Sequence, residues 1–301
     1  MIQVIESMSL GFPSLTIRSA FYELTVLPAV GGRIIGFGLD GINLLWQNER
    51  LEGHRPSYEA SSPEELRSLR ASNPILLYGG EKTWLAPQSD WGGTPYVDLD
   101  HGEYVCEIVR GEDEQSGSVT LTLTSPVCRE TGLQLVRTLS FAEGARYIDI
   151  EQRLINRGSV QVTKGLWQVT MLNRNGTAHI PQGPELEAAV PIPLLNGEDA
   201  DVSHTADGWT MVVDNSLMYK LGFMTDGGRA SAVYEADNGK TYALTKTFTV
   251  EPGRKYPHGT VVEVYNSSEY PYYELEVHSP AYTLNPGDDA AFTIRWELAG
   301  R

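Results

Sequence analysis

The chain has 301 residues, with 23 Lys plus Arg against 39 Asp plus Glu, for a formal charge of −16. That balance, with no run of three basic residues, argues against a nucleic-acid partner and against an anionic membrane surface. A chain this long can bury roughly 75% of its extended surface, so its core needs no disulfide or metal staple.

No apolar stretch approaches the roughly 20 residues needed to span a bilayer. The opening, MIQVIESMSLGFPSL, lacks the basic and apolar regions of a secretory signal, so the cytoplasm is the expected compartment. Cys106 and Cys128 lie 22 residues apart with no CxxC spacing, and the expectation is two small core fillers.

Gly and Pro make up about 16% of the chain, above the usual ~12%, and they fall at turns. Between turns the pattern has period 2. Strand-like runs occupy Leu15–Arg18, Tyr22–Leu27 and Arg33–Leu39. An insertion follows, Asn48–Asn73, carrying the one predicted helix, Ser62–Arg70. There Ser62 can cap, Pro63 suits the first turn and Glu65 completes a capping box. Strands resume at Tyr104–Arg110, Ser118–Ser125, Gln134–Phe141, Tyr147–Asn156 and Gln161–Met171. Pro181–Asp201, with four prolines, reads as a long loop. Beyond it come Tyr219–Met224, Thr241–Val250, Thr260–Asn266, Tyr272–His278 and Ala291–Leu298. Many short strands with turns between them predict an all-β antiparallel sandwich or barrel with one short inserted helix. A single domain over residues 1–301 is expected.

Four places could carry chemistry. Tyr78–Trp91 brings Lys82, Trp84, Gln88 and Trp91 together without a clean strand period. Aromatic faces stack on sugar rings and polar groups bond hydroxyls, although the same tryptophans could plug the edge of a sandwich. Period 2 puts Glu274, Glu276 and His278 on one face of their strand, opposite Tyr273, Leu275 and Val277. Neighbouring carboxylates shift each other's pKa, and a nearby histidine can move a proton, but a solvated strand face would look alike. Lys246 lies in phase with the apolar Tyr242, Leu244, Phe248 and Val250, so it must be paired, snorkel or line a cavity. Trp167-Gln168 offers a further aromatic and amide pair, or simply a core tryptophan. No HxH or HExxH spacing, Walker loop, GxGxxG or GxSxG occurs, so neither a metal ion nor a cofactor is expected.

Together these residues resemble the galactose mutarotase-like superfamily, whose members fold as a β-supersandwich. Leu27-Pro-Ala-Val-Gly-Gly-Arg-Ile-Ile-Gly-Phe-Gly38, followed by Gly41-Ile-Asn-Leu-Leu45, is similar to the family's opening strand, turn and hairpin. Leu275-Glu276 followed by Pro280 resembles the late strand on which aldose 1-epimerases carry their catalytic glutamate. The stretch from Gly79 to Gln88 resembles a branch other than the epimerases proper.

The resemblance implies a carbohydrate ligand and ring opening by a proton pair. Glu276 matches the base that takes the proton from the anomeric hydroxyl. The histidine that protonates the ring oxygen is missing, because Trp167 or Gln168 stands on its strand and Tyr78–Lys82 replaces the Asn-x-Leu-His-Gly segment. Lys82, Lys246 or His278 could supply the acid, with Trp84, Gln88, Trp91, Trp167, Gln168, Lys246 and Glu274 lining the ligand. Two readings stand, an epimerase and a non-catalytic carbohydrate-binding protein. The oligomeric state is not legible.

Overall fold

Strands with one wet face keep a strict alternation of buried and open side chains, and several here do so throughout. Val119–Thr124, Leu133–Phe141, Tyr147–Asn156 and Asp289–Gly300 bury every second residue over most of their length. The computed structural model, which describes residues 2–111, 117–181, 192–193, 200–213 and 217–300, places them in a ten-stranded sheet. Its order runs Val202–Thr205, Gly208–Val212, Gly176–Pro181, Arg229–Glu235, Thr241–Phe248, Asp289–Gly300, Tyr147–Asn156, Leu133–Phe141, Val119–Thr124, Val105–Arg110.

A second sheet of twelve strands packs against it. Its centre runs Arg33–Leu39, Glu81–Ala86, Val162–Asn173, Tyr272–His278, Val262–Asn266, Tyr219–Phe223. All strand pairs are antiparallel, so the chain is the expected all-β sandwich. Here alternation fails for a physical reason. Every side chain of Glu81–Ala86 and of Tyr272–His278 is buried, because one face meets the ten-stranded sheet and the other is covered by loops. The absence of a strand period over Glu81–Ala86 therefore marks a doubly covered central strand, while Trp91 follows in a loop beyond a short 3-10 turn. Most of Pro181–Asp201 lies outside the described residues.

The helix forms at Pro63–Ala71, with the Ser62 hydroxyl accepting from the Glu65 N–H at 3.1 Å. The Glu65 carboxylate reaches back to the Ser61 N–H at 2.7 Å, one residue earlier than a regular capping box. Its buried Arg70 donates to both Glu130 oxygens at 2.8 Å and to the Trp91 carbonyl at 2.6 Å, which ties the insertion to the tryptophan loop.

A short helix, Val97–Asp100, was not foreseen. Buried Arg33 fastens it by donating to the Asp100 carbonyl at 2.9 Å, to Val30 O at 3.0 Å and to Gly79 O at 3.2 Å. The Gly31-Gly32 turn lets this happen: Gly31 has φ +69°, and a Cβ there would sit 2.2 Å from the Asp100 oxygen. Cys106 and Cys128 are free thiols, half-buried and buried, and burial pushes Cys106 up to about 11.

Candidate functional site

Register in the second sheet decides which groups can meet. On the face turned away from the ten-stranded sheet, three rows cross the strands. Trp84, Trp167 and His278 form the first, and Lys82, Val169, Glu276 and Glu263 the second. Met171, Glu274, Tyr265 and Lys220 form the third. Six of the sequence candidates, Glu276, Glu274, His278, Lys82, Trp84 and Trp167, thus share one surface.

Glu276 is fully buried at its centre. Its Oε2 accepts from the Trp167 indole N–H at 2.6 Å and from Lys220 at 3.0 Å. Lys220 also meets Glu263 Oε2 at 2.8 Å. Burial opposes the Lys220 charge, but Glu276 and Glu263 outweigh it and raise the ammonium above its ordinary value. Burial would likewise raise Glu263, yet His278, His258 and Lys220 draw it well below the carboxylate range. Glu263 Oε1 accepts from Thr260 at 2.6 Å and from His258 Nδ1 at 3.0 Å. Glu274 goes the other way: burial and the adjacent Glu276 push it up to about 8. Lys82 lies 3.9 Å from the Trp84 ring centre and 3.9 Å from Met171 Sδ, and burial brings it down to about 8.

Trp91 joins from its loop. The rings of Trp84, Trp91 and Trp167 lie 5.1, 5.1 and 5.7 Å apart, packed on one another rather than lining an open cleft. The exposed Gln88 contributes only its backbone N–H, which donates to His258 Nε2 at 3.1 Å.

Gln168 and Lys246 belong elsewhere. Both lie between the sheets, on the opposite face from Glu276. Gln168 Oε1 accepts from Trp296 at 3.2 Å, and Lys246 donates to Thr170 Oγ1 at 2.6 Å and to Leu275 O at 2.7 Å. Period 2 forces the result, since Trp167 and Gln168 are neighbours and cannot share a face. Glu263, Lys220, His258, Thr260 and Asp100, whose Oδ1 accepts from the Trp84 indole at 2.9 Å, were missed. Only the pairing of Val262–Asn266 with Tyr272–His278, invisible in the sequence, brings Glu263 opposite Glu276. The way out to solvent runs past Lys220 and His258, whose side chains are 13% and 15% exposed.

The architecture is that of galactose mutarotase-like proteins. A galactose mutarotase-like protein from Lactobacillus casei superposes over 95% of this chain and 100% of its own, at TM-score 0.56 and 10% identity. One from Clostridium acetobutylicum covers 100% and 99%, at 0.55 and 9%. The Slr1438 protein of Synechocystis covers 98% and 99%, at 0.54 and 13%. At such identities the likeness is one of fold. In sequence the chain belongs to the family described as a domain of unknown function, DUF4380, which it matches over residues 13–299. No curated protein matches it in sequence. Among the described residues no helix is long and apolar enough to cross a membrane.

Proposed function

We propose that this is a carbohydrate-active protein, a sugar epimerase of the mutarotase-like kind, using acid–base chemistry on the outer face of the twelve-stranded sheet. One observation carries the reading. Glu276, at the position matching the epimerases' glutamate, stands at the centre of that face with Trp167 and Lys220 both donating to its Oε2. Its Oε1 accepts from neither of these donors and is the oxygen that would take the anomeric hydroxyl proton. No imidazole lies on Val162–Asn173, so the ring oxygen must be protonated by another group. Two neighbours hold a proton near neutrality, Glu274 raised to about 8 and Lys82 lowered to about 8. Proton NMR with freshly dissolved α-anomers tests this. Equilibration faster than buffer and lost in Glu276→Gln supports it; buffer-rate equilibration across the panel refutes catalysis.

A second reading, carbohydrate binding without turnover, draws on burial. Glu276 and Glu263 are fully covered, while the partly open aromatic groups are Tyr265 and Tyr270, beside Trp46 and Tyr272. Saturation transfer to a sugar without acceleration would select it.

A further inference from the structure

Three side chains beside Glu276 have a geometry that acid–base catalysis does not use. One donor atom from each of His258, Glu263 and His278 lies within 4.8 Å of the other two, and Glu263 Oε1 is 3.0 Å from His258 Nδ1 and 3.2 Å from His278 Nε2. Around a zinc-like ion, with bonds of about 2.0–2.2 Å, neighbouring tetrahedral donors stand about 3.4 Å apart. The carboxylate-to-imidazole spacings already match that shell to within a few tenths of an ångström.

His278 adds an independent observation. It is 1% exposed, and neither ring nitrogen makes a well-directed hydrogen bond, despite the proximity of Glu263. A ligand on Nε2 therefore displaces no well-formed hydrogen bond of that ring. Charge agrees, since the carboxylates Glu263 and Glu276 share one ammonium at contact distance, that of Lys220 at 2.8 and 3.0 Å. An outer shell is also in place: Thr260 donates to Glu263 Oε1 at 2.6 Å, and Lys220 forms an ion pair with Oε2 at 2.8 Å. The partly exposed His258 leaves an entry path.

We infer that His258, Glu263 and His278 form a site for one divalent transition metal, a two-histidine, one-carboxylate set with open positions for water or substrate. Loading has a specific cost. The Gln88 N–H donates to His258 Nε2, so Nδ1 carries the proton and donates to Glu263. The metal replaces that proton, Nε2 becomes protonated, and the Gln88 amide is released. The inference does not depend on sugar chemistry, because Glu276 is not among the ligands.

The full-length chain, stripped with chelator, is titrated with Co²⁺, reading visible d–d absorption and bound metal per chain. One Co²⁺ per chain, displaced by Zn²⁺, is expected. Affinity falls in His258→Ala, Glu263→Gln and His278→Ala by at least the ~10–100-fold typical of an outer-shell loss. It is unchanged in His204→Ala, an exposed histidine elsewhere. Should His278→Ala fail to fold, the part-exposed loop variant His258→Ala decides. In the wild type, amide hydrogen exchange at Gln88 should quicken on loading. No stoichiometric Co²⁺, or equal binding by wild type and His258→Ala, overturns the site and identifies the trio as a hydrogen-bonded network alone.

Discussion

Lys246 is the sharpest test of the electrostatics between the sheets. Its ammonium is fully buried, with Thr170 Oγ1 and Leu275 O as acceptors, and burial lowers its pKa from 10.5 to about 7. In the unfolded chain it titrates near 10.5, so between pH 7 and 10.5 the unfolded state binds the extra proton and stability rises with pH. The contribution is complete above 10.5 and is lost as pH falls toward 7. At ~1.36 kcal/mol per unit, a shift of about 3.5 units amounts to roughly 5 kcal/mol over the window, of which about 2 kcal/mol falls between pH 7 and 9. Lys246→Met keeps the volume and removes the proton site. The stability of Lys246→Met minus that of the wild type, from urea unfolding at pH 7, 8 and 9, should therefore fall by about 2 kcal/mol across that range. Taking the difference cancels Lys82, which acts in the same direction, and Glu274, which acts in the opposite one. A difference that stays flat with pH would show that Lys246 keeps an ordinary pKa, and the account of its burial would be wrong.

Arg137 donates to Glu81 and, at 2.6 Å, to the Gly32 carbonyl in the same interior. Arg137→Met alone should cost about 3–5 kcal/mol by stranding Glu81, and Glu81→Met added to it should recover much of that loss in chemical denaturation. Gly31→Ala meets the Asp100 carbonyl and a left-handed backbone together, so its penalty should exceed the ~1–2 kcal/mol of the backbone alone and lower Tm accordingly. Trp167→Phe keeps the ring but removes the indole donor to Glu276; a loss of about 1.5–3 kcal/mol is expected in urea unfolding, and no loss would mean Lys220 alone satisfies that carboxylate.

What the sequence made legible follows the physics of faces. The runs of the ten-stranded sheet were plain because water on one side enforces alternation, as at Val119–Thr124. Ser62 announced the helix through its cap. Glu81–Ala86 was opaque because both its faces are dry. At the site, Glu274, Glu276 and His278 were readable because one strand carries all three. Glu263 and Lys220 were not, since their relevance arises from cross-strand register, a long-range property with no local signal. Lys246 was correctly singled out as a lysine in phase with apolar residues, but phase alone does not say which side of a sheet that face meets.

That last distinction separates structural from functional polarity in this fold. Buried charges occur on both sides of the twelve-stranded sheet, so burial alone identifies nothing. Between the sheets, Arg137, Glu81, Gln168 and Lys246 are 1% exposed or less, each with a partner from the facing layer. No molecule reaches them without unfolding. On the outer face the charges are coupled to groups that touch solvent: Glu276 and Glu263 share Lys220, and Glu263 also holds His258. A ligand that displaced Lys220 from Glu276 would alter the whole cluster at once, because Trp167 and Glu263 each touch Lys220 and both histidines. Chemistry is therefore to be sought where a buried carboxylate is one contact from water, and among the groups described here Glu276 and Glu263 meet that condition while Glu81 does not.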